Sequence, residues 1–529
     1  MTLIVFHFLL FLFISYTHGL VFLKKLIKSE SNHNFFEISI IGLLITLIIS
    51  QLINFFIPLN DKLIFFNLFL LSFFIIFNKK IFFNNIKFDY KIFFIVFFLI
   101  MLNIYGSGFS DDLDHYHYGF ITNSDEMKVI WGNSFLHSLY GTYPIWLTGH
   151  SYFNFDDSRL IDIHVLNGLI LFLILSLFLS EINFNKRSDS FFNKLVFSIL
   201  LFILIKYTRL KEFGIDRPAT LLFCFLIYYY YKFFITLKSK DFINNFIILF
   251  LISIIIISIK IIYLPILTIS ILIFFTNRKK IMNRKYQLIF ILIPVLIFLL
   301  KNIFSSGCLV FPLEFTCLKF LSWSNHLGSS EFSFISELIN KSWNSYSGNL
   351  SQFDYIKDFN WFYTSFERGK IEILEYFLTI FLVILATYLT YRNNAFKKQI
   401  INLDILRISL FFIVIFSLVI YFFKNPVLRM NHHLLISLMI FLISFLRSNN
   451  QIIKKKNYLV NFFLIFAFVF AFQKNFIRIK DNNFMNNPLI IISNKITEPR
   501  QKEIDNFNYF MGWYGSAPIG NQDISNKKH

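Results

Sequence analysis

"FINNFIILFLISIIIISIKIIYLPILTISILIFFT", residues 242–276, carries one charged side chain, Lys260, in thirty-five positions. A helix of about 20 apolar residues crosses a ~30 Å hydrocarbon core. This stretch is nearly two such helices end to end, broken at Lys260. Similar runs fall near 4–23, 36–57, 62–78, 91–105, 163–181, 193–207, 218–236, 242–259, 261–276, 286–303, 372–391, 404–423, 432–446 and 457–473. Over 529 residues the chain is 56% hydrophobic and only 15% charged, too little charge for a soluble domain of this length. The pattern predicts an all-α, polytopic transmembrane helical bundle of about 14 spans (12–14). The runs on either side of Lys260 are short enough to be one bent helix instead. The first 23 residues lack a basic start and a small-residue cleavage site, so they read as a retained span.

Basic residues orient these spans. Every second connection is short and positive: Lys24, Lys25 and Lys28; then Lys79, Lys80, Lys87 and Lys91; then Lys186, Arg187 and Lys194. The series continues through Lys232, Lys238 and Lys240, through 278–285, and through Arg392, Lys397 and Lys398 to Arg447 and Lys454–Lys456. These seven loops hold 25 of the 50 Lys and Arg residues and are expected to be cytoplasmic. The alternation needs two spans between 240 and 278, which favours a break at Lys260. It puts both termini outside a bacterial cytoplasmic membrane. The expected units are N-terminal spans over 1–105, a first outer loop over 106–162, central spans over 163–303, a second long outer loop over 304–371, C-terminal spans over 372–473 and an outer tail over 474–529.

Composition adds little beyond this. Phe, at 76 residues, is inflated together with Ile, Asn and Lys, as AT-rich coding would produce, and carries no functional weight. The net charge of +19 sits in short loops rather than a basic face, so no nucleic-acid partner is expected. Cys224 lies in a span, whereas Cys308 and Cys317 share one outer loop, where an oxidising space would allow a disulfide. No nucleotide-binding loop, zinc-finger spacing or serine-nucleophile elbow is present.

The chemistry concentrates in the outer connections. "GFSDDLDHYHYGF", residues 108–120, brings Asp111, Asp112, Asp114, His115 and His117 together at the end of the fourth run. A partly desolvated carboxylate there suits a general base. Asp112 and Asp114 could also hold a divalent cation through oxygen ligands; no other cofactor is expected. The plainer reading is a solvated acidic loop. In residues 121–147, Asn123 with Glu126 reads as a helix start. Met127, Ile130, Leu136 and Leu139 then give an apolar stripe, with Trp131, Tyr140 and Trp146 as interfacial aromatics, and so predict a helix lying in the membrane surface. Lys128, Asn133 and His137 could face the same cavity as the aspartates, or plain solvent.

"KYTRLKEFGIDRP", residues 206–218, crowds Lys206, Arg209, Lys211 and Arg217 into an outer turn, against the positive-inside tendency. Such cations suit a lipid-linked phosphate; Glu212 and Asp216 could instead neutralise them locally. Lys260 is either a functional ionisable group at depth or a span terminator that snorkels. Arg429, in "KNPVLRMNHH", is another outer cation, beside His432 and His433. The 304–371 loop carries Trp323, Trp343 and Trp361, which could stack on sugars or line the interface. The tail segment "MGWYGSAPIG", residues 511–520, suggests an ordered cap.

Five stretches carry a resemblance: "DDLDHYH" leading to "KVIWGNSFLHSLYG", "LKEFGID", "IKIIYLP", "SSGCLVFP" with "LSWS", and "NPVLRM", spread over about residues 105–430. The chain resembles the GT-C superfamily of integral-membrane glycosyltransferases, and within that class is similar to a family of uncharacterised bacterial multi-spanning membrane proteins. The resemblance implies that an acid of the first outer loop deprotonates an acceptor hydroxyl, which attacks the sugar of a polyprenyl-phosphate donor. By position Asp112 fits that acid, with Asp114 its rival and Asp111 beside them. His115, His117, Lys128, His137, Lys206, Arg209, Glu212, Lys260 and Arg429 are the candidate substrate-binding groups. The expected partners are a polyprenyl-phosphate-linked sugar, a glycan or lipid acceptor and membrane lipid, in envelope glycan or glycolipid assembly. An O-antigen polymerase or ligase, or a lipid-linked glycan flippase, are the alternatives.

Overall fold

The computed structural model describes residues 2–31, 33–85, 88–105, 116–154, 164–184, 190–207, 210, 214–235, 241–283, 285–391, 403–446, 458–481, 500–504, 507–511 and 519–520. Among them are eight helices long and apolar enough to cross a membrane: Leu3–Leu26, Phe35–Asn54, Val165–Ile182, Phe242–Ile259, Ile289–Ser306, Phe362–Tyr391, Asp404–Phe423 and Tyr458–Lys480. Three apolar helices are shorter, Tyr90–Tyr105, Ile261–Thr276 and His432–Ile443. The remaining apolar runs are helical as well, over Asp61–Phe77, Ser190–Lys206 and Asp216–Ile235.

Burial sorts these helices into a centre and a rim. Val165–Phe184 and Phe242–Ile259 are buried almost all round, which is the signature of a helix enclosed by others. Phe362–Tyr391 instead exposes Ile371, Leu374, Phe377, Leu378, Phe381, Leu382 and Leu385 along one stripe. Its opposite face buries Thr379, Ile380, Val383, Ala386 and Thr387. An apolar stripe of that length facing outward suits contact with hydrocarbon. Hydroxyls on the inner face are satisfied within the helix, Thr387 Oγ1 donating to Val383 O at 2.7 Å and Thr390 Oγ1 to Ala386 O at 2.7 Å.

Helices Thr2–Leu20 and Phe35–Asn54 cross at glycines. A Cβ on Gly42 would overlap the Ser15 carbonyl, and one on Gly19 would overlap that of Ile38. Such small residues let the two backbones touch. Gly42→Ala is expected to cost about 1–3 kcal/mol through overpacking, read as a lowered unfolding temperature in detergent.

The chain does break at Lys260. The preceding helix ends at Ile259, Lys260 is extended (φ −153°, ψ 111°), and a 3-10 turn over Ile261–Ile266 leads into Leu267–Thr276. Pro265 within that turn has no N–H to continue an α-ladder. One bent helix is therefore not what forms.

The segment after the acidic motif departs from expectation. Asn123 does not start a helix: Tyr118–Glu126 is already helical there and ends at Met127, whose N–H bonds Asn123 O at 3.0 Å. Two 3-10 turns, Asn133–Phe135 and Ser138–Thr142, and the helix Ile145–Tyr152 follow. Gly132 and Tyr143, both left-handed, and Pro144 interrupt the helical period. Nor does this segment present one face to lipid. Asn123, Asp125, Leu136, Tyr140 and Ile145 are buried: the two turns pack against the 289–306 helix, Ile145–Tyr152 against Phe35–Asn54, and Tyr118–Glu126 against Ile145–Tyr152. Trp146 is not interfacial but fully buried, its Nε1 donating to Asn167 Oδ1 at 2.8 Å. Trp131 does stay exposed.

A buried polar knot closes the end of the bundle that the 24–31 turn occupies. Glu37 accepts from Lys232 Nζ, from His33 Nδ1 at 2.8 Å and from Tyr229 OH at 2.5 Å. Nearby, Asp241 Oδ1 accepts from Ser29 Oγ at 3.1 Å and from the Glu30 N–H at 3.0 Å. Lys232 lies on the helix Asp216–Ile235, sixteen residues from Asp216 at the other end. At 1.5 Å per residue these polar ends are about 24 Å apart, and the interval is filled by buried Leu, Phe, Cys and Tyr. In the tail, strands Arg500–Ile504 and Phe507–Met511 pair antiparallel, and Ile519–Gly520 pairs in parallel with Phe507–Met511. That last strand rests against Tyr118–Glu126.

Candidate functional site

At the Asp216 end of the bundle, several elements stop or start around one cavity of about 460 Å³. Ser190–Lys206 ends there, and its terminal Lys206 faces the space. Asp216 and Arg217 come from the first turn of the Asp216–Ile235 helix. The N-terminal half of Phe362–Tyr391 supplies Glu372, Glu375 and Tyr376. Arg429 sits on the 3-10 turn Leu428–Met430, and His432 opens the next helix. Tyr116 and His117 complete the wall. They are the first described residues after the acidic stretch, two and three positions beyond Asp114.

The wall is densely paired. Lys206 Nζ lies 3.0 Å from Glu375 Oε1 and 4.2 Å from the centre of the Tyr376 ring. Lys260, one layer behind, forms an ion pair with Asp216. Burial would raise the Asp216 carboxyl, but the Lys260 ammonium, joined by Arg429 and His432, outweighs it and holds the group below the usual carboxylate range. Tyr376 OH and His432 Nε2 are 2.6 Å apart. His432 Nδ1 continues to Thr220 Oγ1 at 3.3 Å, and Thr220 to Tyr263 OH at 2.8 Å. Arg429 is exposed to the cavity and forms no ion pair with a described carboxylate. Cations with a Tyr–His pair beside carboxylates can hold an anionic group while a proton moves at its edge.

Of the candidates read from sequence, the structure brings Lys206, Arg429 and His117 to this cavity, with Lys260 attached through Asp216. His137 is next to the wall rather than on it. Its ring stacks 6.0 Å from that of Tyr116, and its Nδ1 accepts from the Leu139 N–H at 3.1 Å. Lys128 is solvent-exposed and does not line the cavity. Asp111, Asp112, Asp114, His115, Arg209 and Glu212 lie outside the described residues. Among the described residues no group of three or more His, Cys, Asp or Glu is arranged to hold a metal ion. Sequence reasoning missed Glu372 and Glu375. Their signal was present in "IEILEYF", residues 371–377, two acids three apart at the head of a long apolar run.

Beyond the Ile289–Ser306 helix, Cys308 and Cys317 are joined by a disulfide. Glu337, on the helix His326–Asn340, bridges Lys341 and Lys424, each at 2.6 Å. That bridge fastens the 304–361 segment to the end of the Leu403–Phe423 helix.

Fold and cavity define the class: a helical-bundle protein with a small stranded tail, eight candidate membrane-spanning helices and a mixed-charge chamber at one end of the bundle. The chain belongs to the family described as "Domain of unknown function (DUF8201)", whose model matches residues 1–436. The match reaches Arg429 and His432 and so includes every cavity residue named above. No curated protein and no solved structure matches the chain.

Proposed function

We propose that this protein is a membrane glycosyltransferase of the GT-C kind, moving a sugar from a polyprenyl-phosphate donor to an acceptor outside the bacterial cytoplasmic membrane. The observation that carries the reading is the cavity itself: cations and carboxylates share one chamber at the end of the bundle, and the chain emerges on its wall directly after Asp112 and Asp114. In this reading the bundle has fourteen spans, the cavity opens to the outer face and both termini lie outside. The basic loops support that sidedness, as does the Cys308–Cys317 disulfide, which suits an oxidising compartment. Contact of the tail strand with Tyr118–Glu126 is what tail and first loop on one side would give.

Asp112, or Asp114 in its place, takes the proton of the acceptor hydroxyl. The freed oxygen attacks the anomeric carbon as the bond to the phosphate oxygen breaks. Sugar configuration inverts, and polyprenyl phosphate leaves with the bonding pair. Arg429 takes the phosphate first, because Asp216 and Glu372 act on it through charge without forming an ion pair with it. Lys206 and Lys260 follow only by loosening from Glu375 and Asp216. Arg429→Ala is expected to weaken binding of a polyprenyl phosphate about 10- to 100-fold, the value of charge-assisted hydrogen bonds. Calorimetry in detergent reads this directly, and an unchanged affinity would remove the phosphate assignment.

A second reading, an O-antigen polymerase or ligase, is favoured by Arg217 and Arg429 facing the same chamber. Such an enzyme leans on arginines, and its turnover would survive replacement of Asp112 and Asp114 by Asn. The flippase reading gains nothing from Lys260, which is held by Asp216 at the cavity end rather than midway through the bundle.

A further inference from the structure

We propose that the loop after the Ile289–Ser306 helix is a membrane-seated wedge, with Phe315 and Phe320 entering the lipid leaflet at the cavity end. Phe315 is 86% exposed and Phe320 81%, the two most exposed large apolar side chains among the described residues. Rings this open are unfavourable in water, yet the loop that carries them is braced rather than slack. The Cys308–Cys317 bond closes it, the Leu309 N–H bonds Thr316 O at 3.0 Å, and the Val310 N–H bonds Thr316 Oγ1 at 3.1 Å. Phe315 lies within that closed loop, two residues before Cys317.

Depth follows from three fastenings. The Leu318 N–H bonds Gly307 O at 2.8 Å, Trp323 Nε1 bonds Ile303 O at 2.9 Å, and the Asn325 N–H bonds Ser306 O at 2.9 Å. All three acceptors lie in the last turn of the 289–306 helix or just past it, so Phe320 is held level with the end of a candidate span. The same helix exposes Leu292, Leu296 and Leu300, a stripe at every fourth residue that meets acyl chains. Above that stripe Trp131, 59% exposed, stacks on Phe304 at 5.2 Å and meets Trp323 at 4.7 Å. Paired indoles at a helix end mark the level of the bilayer interface. The phenylalanines therefore extend a lipid-facing surface already present. Neither lines the cavity, which removes them from substrate stacking. Lys319, exposed beside Phe320, is placed to meet headgroup phosphates.

The test is photo-crosslinking of the full chain in its native membrane, with a benzophenone amino acid at position 315, 320, 296 or 357. Replacing Leu296 provides the lipid-facing standard, and replacing Lys357, exposed on the outer segment, the aqueous one. The wedge predicts lipid adducts at 315 and 320 as at 296, with none at 357. Adducts to another polypeptide or to a second copy of the chain would overturn it, as would no lipid adduct at 320 where 296 yields one. Because the donor phosphate plays no part in the readout, failure here leaves the proposed chemistry standing.

Discussion

Replacing Glu37 with Gln is expected to destabilise the folded protein by about 3–5 kcal/mol, the usual result of leaving a buried charge without its partner. Glu37 is 1% exposed, and the Lys232 side chain that pairs with it is nearly as enclosed. The carboxylate also receives His33 and Tyr229, so its loss removes a negative centre to which three groups point. Gln keeps the shape and one oxygen but strands the ammonium. Replacing both partners, Glu37→Leu with Lys232→Met, should recover most of the loss, since an apolar pair needs no compensation. Unfolding in detergent, followed by temperature or denaturant, distinguishes the two variants. Equal stability of Glu37→Gln and the parent would mean that the pair is not formed.

Asp112→Asn and Asp114→Asn are expected to separate sharply in turnover. The one that serves as base should lose about 10²–10⁴-fold, the ordinary contribution of a positioned proton acceptor, while the other loses little. Asn preserves size and hydrogen bonding but cannot take a proton at neutral pH. Neither change should alter the unfolding temperature much, so activity and folding are read on the same preparation. The measurement is transfer of labelled sugar from a polyprenyl-phosphate donor to membrane acceptors. Full activity in both variants would end the transferase reading and leave the arginine-based alternative.

The sequence made the helices legible because the membrane imposes a strong local code. Each long apolar run coincides with a helix, and the break at Lys260 was readable from loop alternation before Pro265 explained it. Residues 121–147 misled for the opposite reason. Their apolar stripe suggested a surface helix, but Gly132, Tyr143 and Pro144 interrupt the period, and the neighbours that bury Trp146 and Asn123 are distant in sequence. The cavity was half visible. Lys206 and Arg429 stood out as cations in connections expected to face outside. Glu372 and Glu375 gained meaning only when folding brought them across from Lys206 and Arg429. Ion pairing between segments more than forty residues apart, such as Lys260 with Asp216, leaves no periodic trace in a single chain.

The mixed lining of the chamber has a kinetic consequence. Among the described residues Lys206, Arg217 and Arg429 are met by Asp216, Glu372 and Glu375, three of each sign on one wall. Opposed charges that close together cancel at a distance, so the mouth projects little attraction into the medium. In the proposed reading soluble anions are then not gathered from bulk, and the lipid-phosphate donor gains most by arriving sideways, already concentrated in the bilayer. Its encounter rate would follow lipid diffusion and be nearly indifferent to added salt.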